Sequence, residues 1–272
     1  MAGIVPGVKG AARRSGDRLA ATLFSLAWVV PALAADYVDV PGGAFQSVLP
    51  LAETPLDVVI KPFAMRVEPV TNREFLDFVQ RNPQWRRDKV PAIFSESRYL
   101  GHWPSADAIA DTQSLQPVVM VSWFAAQAYC ESENARLPGW HEWEYVAAAD
   151  ATRSDARTDP AWRNRILSWY ARPSGSAPAA IGGEANAYGL RDLHGLVWEW
   201  VDDFNALMVS ADNREQGDPD LMKFCGAGAL SMQDRDNYAV LMRIAMLSSL
   251  EGDDVTGNLG FRCVRPVTGA AP

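Results

Sequence analysis

Residues able to do chemistry gather in two stretches of this 272-residue sequence. The first runs Phe224-Cys225-Gly226-Ala227-Gly228-Ala229-Leu230-Ser231, a thiol set before a flexible glycine turn, and continues into Asp234-Arg235-Asp236-Asn237-Tyr238. A thiolate with thioethers is a soft donor set, so Cys225 with Met232, Met242 and Met246 is a candidate Cu(I) site. The competing reading is a buried, inert thiol with methionines that fill core space. Asp234 and Asp236 suit a hard metal or acid and base roles, or else serve as loop charges that cap neighbouring turns. Cys225, Ser231, Asp234 and Asp236 form the candidate catalytic set.

The second stretch is Asn186 to Phe204, in which Glu199 lies between Trp198 and Trp200. The run 196–201 is aromatic and β-branched enough to read as a buried strand. A carboxylate buried there must be paired, hydrogen-bonded or bound to a cation, because leaving it bare costs several kcal/mol or shifts its pKa. On pattern alone, a strand that turns Glu199 to solvent fits as well.

Five blocks in order carry a resemblance. They are Pro69-Val70-Thr71-Asn72 with Phe75, and Pro117-Val118 with Val121-Ser122-Trp123. Next come Ala128-Tyr129-Cys130 with Arg136-Leu137-Pro138 and Glu142-Trp143-Glu144-Tyr145, then Tyr188-Gly189-Leu190 with Gly195-Leu196-Val197-Trp198-Glu199-Trp200. The last is Asn258-Leu259-Gly260-Phe261-Arg262-Cys263. Together they resemble the formylglycine-generating enzymes, or sulfatase-modifying factors. The resemblance implies an irregular α+β fold with a C-type-lectin-like core. It also implies a Cys130–Cys263 disulfide, which would leave Cys225 as the free thiol. Members of that family oxidise a substrate cysteine with O₂ through copper held by two cysteines. Counting back from Asn258 through Arg243, which matches a family arginine, puts those two positions at Asp234 and Ala239; residues 226–262 contain no cysteine. The family's calcium site offers Asn and backbone oxygens beside the Glu, and Leu196 replaces that Asn here, so calcium through Glu199 is a weakened expectation. Copper through Cys225 is the other metal expectation.

The altered strip resembles a branch found beside copper nitrite reductases, the NirV-like proteins, related to the pyoverdine-maturation branch. An accessory or maturation factor for an exported enzyme follows, without formylglycine-generating activity. Two alternatives stand beside it. One is a non-cysteine oxidoreductase acting on a peptide or siderophore precursor, for which His102, His141 and His194 are spaced awkwardly as iron ligands. The other is a periplasmic binding or regulatory module.

Composition narrows the compartment and the partners. The formal net charge is −8, and residues 1–34 are basic, so the remainder is more acidic still. Such a body excludes nucleic acid as a partner, since phosphate backbones need a basic footprint. Arg13, Arg14 and Arg18, the apolar run Leu19 to Val30, and Ala32-Leu33-Ala34 read as a signal peptide over residues 1–34, with cleavage before Ala35. The expectation is a periplasmic or secreted protein, with no stable membrane span after signal removal and a periplasmic protein or peptide as partner.

Residues 35–272 read as one domain whose elements must position these groups. Tyr37 to Phe45 opens it with a strand and a Gly42-Gly43 turn. Thr71 and Glu74 form a capping box for a helix that buries Phe75, Phe78 and Val79 and stops at Asn82-Pro83. Ser122 caps a second helix to about Asn134, and a third spans Trp140 to about Ala149. Residues 83–116 read as a long loop, 153–165 as helix-capable and 173–185 as a loop. Short strands, then helices, then strands make an α+β protein.

Overall fold

The computed structural model describes residue 3 and residues 36–48, 57–171, 177–205 and 238–267. The strands are short and the architecture is α+β. Four open the domain: β1 (Tyr37–Val40), β2 (Gly43–Gln46), β3 (Asp57–Ile60) and β4 (Phe63–Arg66). Three helices follow, α1 (Asn72–Arg81), α2 (Trp123–Ser132) and α3 (Trp140–Ala147), then α4 (Pro160–Tyr170). The chain closes with β5 (Trp198–Glu199), α5 (Tyr238–Ser248), β6 (Leu259–Gly260) and β7 (Val264–Arg265). Strands β1, β4 and β7 form an antiparallel sheet in that order, β2 pairs with β3, and β5 lies parallel to β6.

Helix starts follow the sequence. Thr71 accepts the amide of Glu74 while the Glu74 carboxylate takes the Thr71 amide, a complete capping box. Ser122 caps α2 through the amide of Ala125, and Asn134 takes the left-handed conformation that ends the turn after it. The buried face of α2 is Ala125, Ala126, Tyr129 and Cys130, with Gln127 only half-buried. In the helix-capable stretch, helix begins at Pro160, because Asp159 accepts the amides of Ala161 and Trp162. Residues 153–159 are instead held by ion pairs: Arg153 binds both Asp150 and Asp159.

The core is strongly aromatic. Phe75, Phe78, Tyr129 and Phe261 pack ring on ring where α1, α2 and the segment before β7 meet. Cys130 and Cys263 are joined by a disulfide, Cα atoms 5.5 Å apart, in the same buried region. The long loop 83–116 also contributes to the core. Tyr99, Leu100 and Trp103 are buried, and the Asn72 side chain holds the loop. Its Oδ1 accepts from Trp103 Nε1 at 2.7 Å and faces His102 Nε2 at 3.1 Å, while Nδ2 donates to the Gln113 and Gln116 carbonyls. Among the described residues, no helix is long and apolar enough to cross a membrane.

Candidate functional site

The expected strand across 196–201 is only two residues long. Trp198 donates its amide to the Asn258 carbonyl at 2.8 Å and Trp200 to Gly260 at 2.9 Å, which locks β5 against β6. Gly260 is required there: a Cβ would lie 2.6 Å from the Val118 carbonyl oxygen. Period-two alternation turns Glu199 and its tryptophan neighbours to opposite sides. The Trp200 indole is buried and donates to the Val121 carbonyl, whereas Trp198 is half-buried.

Glu199 is completely buried and paired. Arg262, equally buried, donates from Nε to both carboxylate oxygens at 3.0 and 2.9 Å and from Nη2 to Oε1 at 2.7 Å. Trp143 Nε1 donates to Oε2 at 2.7 Å. The rest of the Arg262 guanidinium is spent on the carbonyls of Arg66, Val67 and Arg191. The solvent-facing alternative for Glu199 is thus overturned: the carboxylate turns inward to Arg262 and Trp143, on the side away from Trp198 and Trp200. The groups that meet this carboxylate are N–H donors from an arginine and an indole.

A second buried arginine lies beside the first. Arg243 projects from α5 so that its guanidinium carbon sits 3.5 Å from the centre of the Trp143 ring and 6.0 Å from that of Trp140. It donates from Nη2 to the backbone oxygen of Glu199, while its Nε has no partner and no carboxylate pairs with it among the described residues. Burial pushes its pKa down to about 10, against the pull of Glu199, so it stays charged at neutral pH. On the other side of β5 from Glu199, Trp198 meets the end of α4: Tyr170 at 4.8 Å and Trp169 at 5.5 Å between ring centres. Burial raises the Tyr170 phenol to about 12. Arg243 served the sequence reading only as an alignment anchor; its stacking was missed, as were Trp169 and Tyr170. The usable signal was the adjacent aromatic pair at the end of a helix, just before a Pro/Ser-rich loop.

The candidate catalytic set, Cys225, Ser231, Asp234 and Asp236, lies outside the described residues, as does Met232. Ala239 falls in the first turn of α5. Met242 is partly exposed and Met246 packs against the core. The histidines are apart in role. His102 is held by Asn72, and His194 Nε2 faces the Ala147 carbonyl at 2.8 Å. Burial pushes both down to about 4, so they are neutral at pH 7. His141 is half-buried with Nε2 unpartnered. Among the described residues, no group of three or more His, Cys, Asp or Glu side chains is placed to hold a metal.

Comparison with known proteins agrees with the sequence blocks. Residues 29–267 match the model of the sulfatase-modifying factor enzyme 1-like domain. The chain is similar to an inactive C-alpha-formylglycine-generating enzyme 2 from Bos taurus, 27% identical over 271 residues, covering 83% of this chain and 86% of that protein. It is 30% identical over 278 residues to a formylglycine-generating enzyme from Streptomyces coelicolor, covering 83% and 88%. A hercynine oxygenase from Mycolicibacterium smegmatis is 30% identical over 214 residues, 69% of this chain and 50% of that one. Among solved structures, PvdO from Pseudomonas aeruginosa aligns with a TM-score of 0.43 at 21% identity, covering 85% of this chain and 94% of that one.

Proposed function

The chain belongs to the family of sulfatase-modifying factor enzyme 1-like proteins, and we propose that within it the protein acts as an exported accessory or maturation factor rather than as a copper oxidase. The observation that carries this is an inventory of thiols. The sequence has three cysteines, and Cys130 and Cys263 are bonded to each other, so one thiol remains, Cys225. A two-thiolate copper centre needs two. Asp234 and Ala239 stand at the positions the family uses. What the chain holds beneath is a packed scaffold: the Glu199–Arg262 pair closed by Trp143, with Arg243 laid on the Trp143 ring. That the relatives include a protein named inactive and another named for a different oxygenation fits a fold whose chemistry is replaceable.

In this reading residues 1–34 direct export and are removed before Ala35, and the partner is an exported protein or peptide, in the first instance a copper enzyme. The test has two arms. Purified protein given copper, O₂ and a Cys-x-Pro-x-Arg peptide should yield no formylglycine by mass spectrometry; turnover would refute the assignment of Asp234 and Ala239. Deleting the protein in its host should lower the copper occupancy of the exported enzyme, and the full chain, but not one lacking residues 1–34, should restore it. Full occupancy in the deletion strain sinks the accessory role.

A further inference from the structure

Between the end of α3, α4 and the 186–194 segment lies a cavity of about 100 Å³, apart from the Glu199–Arg262 pair. By volume it has room for about three waters. Its wall is largely apolar: Trp162 and Ile166 from α4, Leu190 and Leu193 from the segment opposite. Four other side chains on the wall are polar or charged, and their hydrogen-bonding capacity differs. Asp150 is already occupied. Its Oδ1 accepts the amides of Thr152 and Arg153 at 2.9 and 2.7 Å, and its Oδ2 takes the Arg153 guanidinium. Asn186 is engaged with the amides of Tyr188 and Leu190 and with the Val146 carbonyl. Arg165 has neither a hydrogen bond nor an ion pair among the described residues. His194 uses Nε2 on Ala147, and its Nδ1 is without a partner.

The charge balance points the same way. Three guanidinium groups, Arg165, Arg243 and Arg262, lie within electrostatic reach of the His194 ring. Among the described residues only Arg262 of these three is matched by a carboxylate, which leaves Arg165 as the unmatched charge on the wall itself. Positive charge beside an apolar recess selects an anion that carries a short hydrocarbon group.

We infer that this cavity is a binding site for a short-chain carboxylate, with Arg165 engaging the carboxylate and the Trp162, Ile166 and Leu193 side chains receiving the chain. The site is independent of the accessory-factor reading, because that reading rests on the count of thiols and neither disulfide cysteine lines the cavity.

Sodium butyrate is the probe, with sodium chloride and n-butanol as controls at matched ionic strength, followed by saturation-transfer NMR and calorimetry on the mature protein. Butyrate should bind saturably, and neither control should. Arg165→Gln, at an exposed helical position that leaves the core intact, should weaken butyrate roughly tenfold or more, the usual effect of losing a charge-assisted hydrogen bond. Ala151→Leu, at an exposed position on the wall, keeps the charge and narrows the space, and should also weaken binding. Butanol binding as well as butyrate, butyrate failing to saturate, or both variants binding like wild type overturns the proposal.

Discussion

Two buried arginines that both reach Glu199 are treated in opposite ways. Around Arg262 every polar group has a partner: Glu199 answers the charge, three backbone carbonyls take the remaining N–H groups, and Trp143 closes the carboxylate. Around Arg243 the charge rests on an indole face and a single carbonyl, Nε is unpartnered, and the neighbouring His194 and Trp140 also leave a ring nitrogen without a bond. A low-dielectric interior makes satisfied polar networks rigid and unsatisfied ones costly. The first region is therefore frame. The second is where this fold keeps unspent polar capacity, and it borders both the start of α5 and the cavity.

That contrast can be broken experimentally, most forcefully at the ion pair. Glu199→Gln leaves Arg262 buried without its counter-charge and should cost about 3–5 kcal/mol of stability in urea titrations; a change below about 1 kcal/mol would show that the pair is not the frame. Adding Arg262→Met to that variant should recover part of the loss. Cys263→Ser, which opens a link between residues 133 apart, should cost about 2–4 kcal/mol. The same link predicts a single free thiol in wild type denatured without reductant, and three would disprove it.

Smaller effects sharpen the comparison. Thr71→Ala removes one half of the α1 capping box and should cost about 1 kcal/mol. Arg243→Met should be tolerated within about 1 kcal/mol or be stabilising, because it replaces an uncompensated cation by an apolar chain of similar length. A loss as large as that of Glu199→Gln would erase the distinction between the two arginines. Acid gives a last, graded test. His102 and His194 are held near 4 in the folded protein against 6.5 when unfolded. The unfolded chain therefore binds more protons in that window, and stability should fall as pH drops from about 6.5 to about 4. Glu144, whose carboxyl burial raises, works in the opposite sense. His102→Gln should make the decline shallower; an unchanged slope would show that this histidine does not titrate as its burial implies.

Much of the frame was legible in the sequence because its signals are local. Thr71 and Glu74 are three apart, and Ser122 stands directly before the run that forms α2. A carboxylate between two tryptophans announced that something must pair with it. Its partner did not announce itself, since Arg262 lies 63 residues on and is brought back only by the parallel β5–β6 pairing. The Arg243–Trp143 stack and the cavity were illegible for the same reason: each joins separate elements, and no spacing within one element encodes them. The strand read across 196–201 shrank to two residues because Gly260 offers only a short stretch of partner before Phe261 turns into the core.

Residues 258–265 also set a rule for how the molecule can be made. This one short segment supplies the partner of β5, the counter-charge for Glu199, the acceptor for Val70, the second half of the disulfide and the outer strand beside β4. Each of those groups comes from an earlier part of the chain and waits for it. A polypeptide halted before residue 258 leaves Glu199 without its counter-charge, Cys130 without its disulfide partner and β4 without its second neighbour. The fold therefore closes only when this last segment arrives.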